Sequence, residues 1–226
     1  MSARNIDSDR KRSRPVTKQS FKKNKLVLGV VLVVVIIVVI AGLYIVFFSN
    51  KDSNNNNVST NPIAIIDTSM GIIKVELFQD KVPNTVDNFV NLANGGFYNG
   101  LVFHRVANLD KNSPNNHIIQ AGGFYPNGTS KASPFGPINL EINEDARHID
   151  GAIAMARTDD PNSATSQFYI CDGPQSFLND NYAVFGIVIE GMNVVREIGS
   201  VETTTKYGGY ENWPINDVII NSITID

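Results

Sequence analysis

The chain has 226 residues, a single cysteine and a formal net charge of −3. That is room for one ordinary domain and an appendage, and it excludes a scaffold held together by internal disulfides. The charge is unevenly placed: residues 1–25 carry nine Lys or Arg and two acids, or +7, leaving −10 for the rest, and so acidic a main body argues against nucleic-acid binding, which needs Lys and Arg to displace counterions.

Residues 26–48 follow the basic tail without one charged side chain. As a helix this run spans about 34 Å, enough for a hydrocarbon core of roughly 30 Å. A cleaved secretion signal has a shorter apolar region, about 7–15 residues, and a small-x-small exit. Here the run leaves through Val46-Phe47-Phe48-Ser49-Asn50, so a retained transmembrane signal anchor is expected. Positive charge stays on the cytoplasmic face. The reading is therefore a cell-membrane, single-pass protein with its N-terminus in the cytoplasm and its C-terminal domain outside it. Residues 49–61, SNKDSNNNNVSTN, have no apolar periodicity and read as a solvated linker. Asn57-Val58-Ser59 and Asn127-Gly128-Thr129 match the glycosylation acceptor pattern, which has meaning only in a host with the machinery.

Residues 62–226 have the size of a single domain and no internal repeat. Ile73, Val75 and Leu77 alternate with Lys74 and Glu76, the period of a half-buried strand. Ile63 to Asp67 precedes it across Thr68-Ser69-Met70-Gly71, which predicts a hairpin. Pro83 suits a first helical turn, and Val86, Phe89, Val90 and Ala93 follow at helical spacing until Gly95-Gly96. Further strands are expected over Leu101 to Val106, His117 to Gln120, Ile138 to Ile142, Ala152 to Ala156, Gln167 to Ile170 and Ala183 to Ile189. A second, shorter helix is expected from Met192 to Ile198, ending at Gly199. Val218 to Ile225 closes the chain with Ile219, Ile223 and Ile225 on one face. This mainly β pattern allows either a closed antiparallel barrel with helical plugs or an open α+β sheet.

Three blocks decide more than periodicity does. They are Phe103-His104-Arg105-Val106, Ile118-Ile119-Gln120-Ala121-Gly122-Gly123 and GAIAMARTDDPNSATSQFYI, residues 151–170. Together they resemble the cyclophilins, the peptidyl-prolyl cis-trans isomerases, and the resemblance spans 62–226. It implies a closed eight-stranded antiparallel barrel capped by two helices, here preceded by one transmembrane helix. It also implies acceleration of X-Pro isomerisation in unfolded or flexible polypeptides, as an aid to folding. By resemblance, Arg105 is the catalytic arginine over the prolyl bond, Gln120 bonds the substrate backbone and places Arg105, and His104 orients the arginine. Ile118, Tyr169 and Leu178 match the proline pocket, and Ala156 leaves room for the residue before proline. Gln167 matches a polar contact in the groove. Phe177 stands where many animal members have tryptophan, which implies weak cyclosporin binding, and Tyr182 stands where many have histidine.

Such chemistry needs no cofactor and no metal, and the three histidines show no metal spacing with Cys171 or one another. Glu141, Glu144 and Asp145 read as a solvated acidic loop. No Gly-rich phosphate loop and no Ser-His-Asp order is present. A monomer is expected, acting on proline-containing polypeptides. The rival readings are a catalytically weak proline-peptide binding module tethered to the membrane, and a barrel used only as a spacer.

Two departures from the family stand out. Fourteen residues separate Arg105 from Gln120, where seven are usual; the added ANLDKNSPNN, residues 107–116, is either a harmless surface insertion or a flap that selects peptides. His117 stands where a phenylalanine usually walls the proline pocket. If its ring faces that pocket, activity should fall on acidification as it charges; the ring could instead point into the inserted loop.

Overall fold

The computed structural model describes residues 61–109 and 116–226. The basic tail, the expected membrane segment and most of the linker lie outside these residues, as does the centre of the insertion. Among the described residues no helix is long and apolar enough to cross a membrane.

Among the described residues, ten strands and two α-helices follow one another. They are β1 (Ile63–Thr68), β2 (Gly71–Leu77), α1 (Pro83–Asn94), β3 (Arg105–Asn108), β4 (His117–Ala121), β5 (Ala152–Met155), β6 (Phe168–Asp172), β7 (Val184–Glu190), α2 (Met192–Gly199), β8 (Thr203–Lys206), β9 (Tyr210–Pro214) and β10 (Ile220–Ile225). Eight of the strands form one antiparallel sheet in the order β10-β1-β2-β7-β5-β6-β4-β3. The sheet curls until its two ends meet along a short seam. Gly100 N–H donates to Ile220, Ile220 N–H to Leu101 and Phe103 N–H to Val218, at 2.8–2.9 Å. A closed eight-stranded barrel capped by two helices was the expectation; what is present is a curled eight-stranded sheet joined over a few residues, with the two helices packed on it.

The concave face holds the main core: Ile66, Ile73, Val75, Leu77, Val106, Ile119, Ala121, Ile153, Phe168, Ile170 and Phe185 are all buried there. α1 adds Val86, Phe89 and Leu92, and α2 adds Val194, Val195 and Ile198. Phe89 meets Tyr98, Phe168 and Phe185 at ring separations of 5.1–5.5 Å. On the convex face Ala107, Ile118, Ala152, Ala154, Tyr169, Cys171 and Val184 form a second buried cluster. β4, β5 and β6 are thus covered on both faces, which is why IIQA, AIAM and FYIC read as near-continuous apolar runs. β1 and β2 are covered on one face and alternate.

α1 begins at Pro83 with no capping side chain of its own. Glu141 caps it from 57 residues away: its carboxylate accepts from Thr85 N–H and Thr85 Oγ1, both at 2.7 Å, and from Asn84 N–H and Nδ2. An acid at a helix N-terminus satisfies orphan donors and meets the positive end of the dipole. Burial pushes the Glu141 pKa up, but these four bonds outweigh it and hold the group below its ordinary value. Glu141 is therefore not part of a free acidic loop face. Nor is 138–142 a strand; it makes a single bridge, Ile138 to Ala164, and Leu140 N–H donates to the Asn162 side chain at 2.9 Å.

Two other expectations change. The ladder slips at Asp67/Thr68, where Thr68 pairs with Ile220 and Asn221 is left over. This bulge puts Ile220 and Ile223 on the core side together, while Ile219 packs on Val102, Phe124 and Trp213. And β8–β9, unforeseen, forms a separate hairpin around the fully buried Trp213.

Candidate active site

Cross-strand register assembles the site on the convex face. Arg105 of β3 lies opposite Gln120 of β4, Gln120 opposite Tyr169 of β6, and Tyr169 opposite Ala154 of β5. Two residues along the strands, Ala107, Ile118 and Cys171 form the parallel row. With a period of two, both rows face the same way, so Arg105 and Gln120 stand at the edge of an apolar floor.

A cavity of about 120 Å³ opens here, lined by Arg105, Leu109, Ile118, Gln120, Ala156, Arg157, Tyr169, Leu178 and Tyr182. A second cavity of about 270 Å³ shares Gln120, Ala156 and Arg157 with it and adds Thr158, Ser163, Thr165 and Gln167. The first is small and largely apolar; the second is walled by hydroxyls and amides.

A run of hydrogen bonds fixes the polar edge. Arg105 Nη1 donates to Gln120 Oε1 at 3.2 Å, and Gln120 Nε2 donates to Gln167 Oε1 at 3.0 Å. A guanidinium has no acceptor, so the direction of the run is set at its arginine end. The run ends at Gln167, and the buried His104 Nδ1 has no hydrogen-bond partner among the described residues. His104 is buried behind the groove against Phe124 and Trp213, at ring separations of 4.7 and 6.0 Å. Burial above all, with the neighbouring Arg105 charge, lowers its pKa to about 4, against the opposing contacts of Val102 and Gln167. It is neutral at physiological pH and has no access to a substrate proton.

The glycines of QAGG make this arrangement possible. Gly122 has φ +87°, and a β-carbon there would lie 2.6 Å from the Ser166 carbonyl oxygen. Ser166 Oγ donates to the Gly122 carbonyl at 2.8 Å. At Gly123 a side chain would meet the Gln167 amide at 2.6 Å. Asn88 of α1 donates to the Thr165 carbonyl and Tyr98 OH to that of Ser166, so the loop carrying Gln167 is tied to helix and sheet together.

Behind the floor, Tyr169 OH lies 2.9 Å from His148 Nε2, and His148 Nδ1 lies 3.0 Å from Asn179 Oδ1. His148 is buried, and burial above all lowers its pKa. This brace was not foreseen, and neither were Leu109 and Arg157 as lining residues. Arg157 follows Ala156 directly, and its signal was available: a cation inside a motif block of an acidic domain.

Of the expected residues, Arg105, Gln120, Ile118, Ala156, Tyr169, Leu178 and Tyr182 share the first cavity, and Gln167 lines the second. Three stand elsewhere. His104 packs behind the groove. Phe177 lies 56% exposed in the turn Ser176–Leu178 and lines neither cavity. His117 is one residue out of phase with Ile118, so its ring faces the other way, with Nδ1 3.8 Å from Asp172 Oδ2. It lines a separate open depression with Asp172, Arg196, Gly199 and Ser200. The expected wetting of the proline pocket by a charged His117 thus has no geometric basis.

Residues 63–225 match the family model described as cyclophilin type peptidyl-prolyl cis-trans isomerase/CLD. A peptidyl-prolyl cis-trans isomerase of Acinetobacter baylyi is 41% identical over 170 residues, 73% of this chain and 86% of that protein. The Escherichia coli peptidyl-prolyl cis-trans isomerase B is 40% identical over 166 residues, 70% of this chain and 96% of that protein. Among solved structures, a Cryptosporidium parvum cyclophilin type isomerase crystallised in the presence of the dipeptide Ala-Pro superposes with a TM-score of 0.60 at 28% identity, covering 73% of this chain and 98% of that one. An arginine at the lip of an apolar niche on a curled eight-stranded sheet, with this relatedness along the same residues, makes the chain a member of the cyclophilin family and a peptidyl-prolyl cis-trans isomerase.

Proposed function

We propose that Arg105 is the catalytic group and that the cavity beside it seats the prolyl ring. An X-Pro bond turns over a barrier of roughly 18–20 kcal/mol because its C–N double-bond character must be lost. No proton transfer, metal or cofactor is needed. Ile118, Tyr169 and Leu178 give a dry niche that favours the twisted, less dipolar amide. As conjugation breaks, a lone pair appears on the prolyl nitrogen, and the Arg105 fork donates to it. Lowering the barrier by about 7 kcal/mol gives a gain on the order of 10⁵. Gln120 holds Arg105 and offers its remaining hydrogen-bonding capacity to the substrate backbone. His104 and Gln167 position this pair.

The observation that carries the reading is the Arg105–Gln120 bond at the mouth of the apolar cavity. A protease-coupled assay on an X-Pro peptide tests it. Arg105→Ala should lose on the order of 10²-fold in kcat/KM, the usual cost of one transition-state donor, while still binding the peptide. An unchanged rate in that variant removes Arg105 from the mechanism.

The enzyme is placed outside the cytoplasm, anchored by residues 26–48, where it serves the folding of exported or membrane proteins as a monomer without a nucleic-acid partner. The +7 tail ahead of an uncharged run supports this. Protease added to intact cells should digest residues 62–226; protection of that domain would reverse the topology. The smaller, solvent-facing Phe177 supports weak cyclosporin binding.

A further inference from the structure

The described arginines fall into two groups. Arg147 pairs with Asp180, and Arg196 pairs with Asp150 and Asp172, each at 2.7 Å. The two that line the groove, Arg105 and Arg157, have no carboxylate partner among the described residues, in a domain that is acidic overall. Arg105 bonds to an amide. Arg157 Nε donates to the Asn181 carbonyl at 2.9 Å, and Nη1 donates to the carbonyls of Thr158 and Asp159 at 2.7 and 3.3 Å. Its guanidinium lies 4.6 Å from the centre of the Tyr182 ring. Every one of these partners is neutral. They hold the group rigidly, half-buried, without cancelling its charge, and Nη2 keeps both its donors unused among the described residues. Asp159 and Asp160 share its loop, but neither carboxylate pairs with it and neither residue lines either of these two cavities.

Arg157 also stands at a junction. It is common to the apolar cavity and to the larger polar one, whose other walls are Gln120, Ala156, Thr158, Ser163, Thr165 and Gln167. That set offers hydroxyl and amide donors and no carboxylate. With Ala156 making room for the residue before the proline, as the resemblance implies, a chain whose proline fills the first cavity would send a preceding side chain toward Arg157 and the second.

We infer that Arg157 is a specificity-determining residue, and that it selects polypeptides carrying Asp or Glu one or two residues before the proline. This rests on the reading that the first cavity seats the prolyl ring. A carboxylate reaching Arg157 gains a charge-assisted bond to a prepaid, immobilised fork. A lysine there meets two guanidinium groups that have no carboxylate partner among the described residues. The attraction is partly solvent-exposed, so its size is that of a good rim pair and it weakens with salt.

The test uses the full-length protein in detergent and X-Pro peptides with Glu, Gln or Lys at either preceding position. Exchange is followed by NMR, so no coupling protease adds its own preference. At about 20 mM salt kcat/KM should run Glu, Gln, Lys in descending order, with Glu over Gln by about two- to fivefold. At roughly 0.5 M salt the ratio should approach one. Arg157→Gln should abolish the Glu preference at low salt, and Arg157→Lys should restore part of it. A Glu-to-Gln ratio near one in the wild type overturns the inference, as does a ratio that survives unchanged in Arg157→Gln. If the Gln peptides turn over and only the preference is missing, Arg157 alone loses its role; if no peptide is accelerated, the parent reading falls with it.

Discussion

At the residue scale the site depends on which partner each donor is given. Arg105 can only donate, so Gln120 must offer its oxygen to it and its nitrogen to Gln167. A side-chain amide does both at once. A carboxylate at position 120 would accept from Arg105 more strongly, and it would face the Gln167 oxygen with no proton between them. The guanidinium would be pinned and partly neutralised where it needs free charge for the prolyl nitrogen. Gln120→Glu is therefore expected to lower kcat/KM by about tenfold or more, in line with about 1.5–3 kcal/mol for hydrogen bonds to charged groups. The loss should fall mainly in kcat, and circular dichroism should be unchanged. Wild-type kinetics in this variant would show that the amide pair does not position Arg105. The same logic explains why His104, adjacent to Arg105 in sequence, is not itself a reacting group: alternation along the chain sends it to the far side, into a wall of Phe124 and Trp213.

At the scale of elements, legibility followed burial. β4, β5 and β6 are buried on both faces, so their blocks are apolar, distinctive and readable, and with them came Arg105, Gln120, Ala156 and Tyr169. The β1–β2 hairpin was readable from its alternation and its turn, where Thr68 Oγ1 accepts from Met70 N–H and donates to the Gly71 carbonyl. Parity failed at β10, because a one-residue bulge reverses every side chain beyond it and leaves no mark in composition. β8–β9 was missed because TTTK and YENWP carry no alternation. That hairpin is held by Trp213, whose Nε1 donates to Asp217 at 2.9 Å, by Lys206 on the same carboxylate, and by Tyr207 packed across Trp213. Its turn passes through Tyr207 at positive φ, and Asn212 within β9 is also at positive φ. Long-range contacts of this kind are invisible to any local window. Glu141 shows the same limit: an acid in an irregular stretch becomes a helix cap only once the fold brings α1 to it. His117 shows the converse, since the family pattern placed it in the pocket and a one-residue phase along β4 took it out.

At the scale of the whole molecule, these placements set the response to pH. His104 and His148 are buried neutral, with pKa values below the ordinary histidine value of 6.5. The unfolded chain therefore takes up protons at a higher pH than the native one does, and stability falls as pH drops below about 6.5. For His104, with its pKa near 4, the loss is on the order of 3 kcal/mol once pH passes below that value. Glu141 and Asp150 act in the same direction further down. Burial works against both, but the bonds from Thr85 and Asn84, and from Arg196 and Gly173, hold them below their ordinary values. Their contribution is complete above the unfolded carboxylate range and is lost as pH falls through the native pKa. Asp172 opposes this, because burial outweighs Arg196 and raises its pKa, so its protonation on acidification gives back some stability. Two histidines in the window above pH 4 outweigh one carboxyl, and the urea midpoint should fall steadily from pH 7 to 4.5. His104→Phe, which keeps an aromatic ring against Phe124 and Trp213, should flatten that slope even if it lowers the midpoint at pH 7. A slope untouched by His104→Phe would mean that this buried ring is not the one resisting its proton.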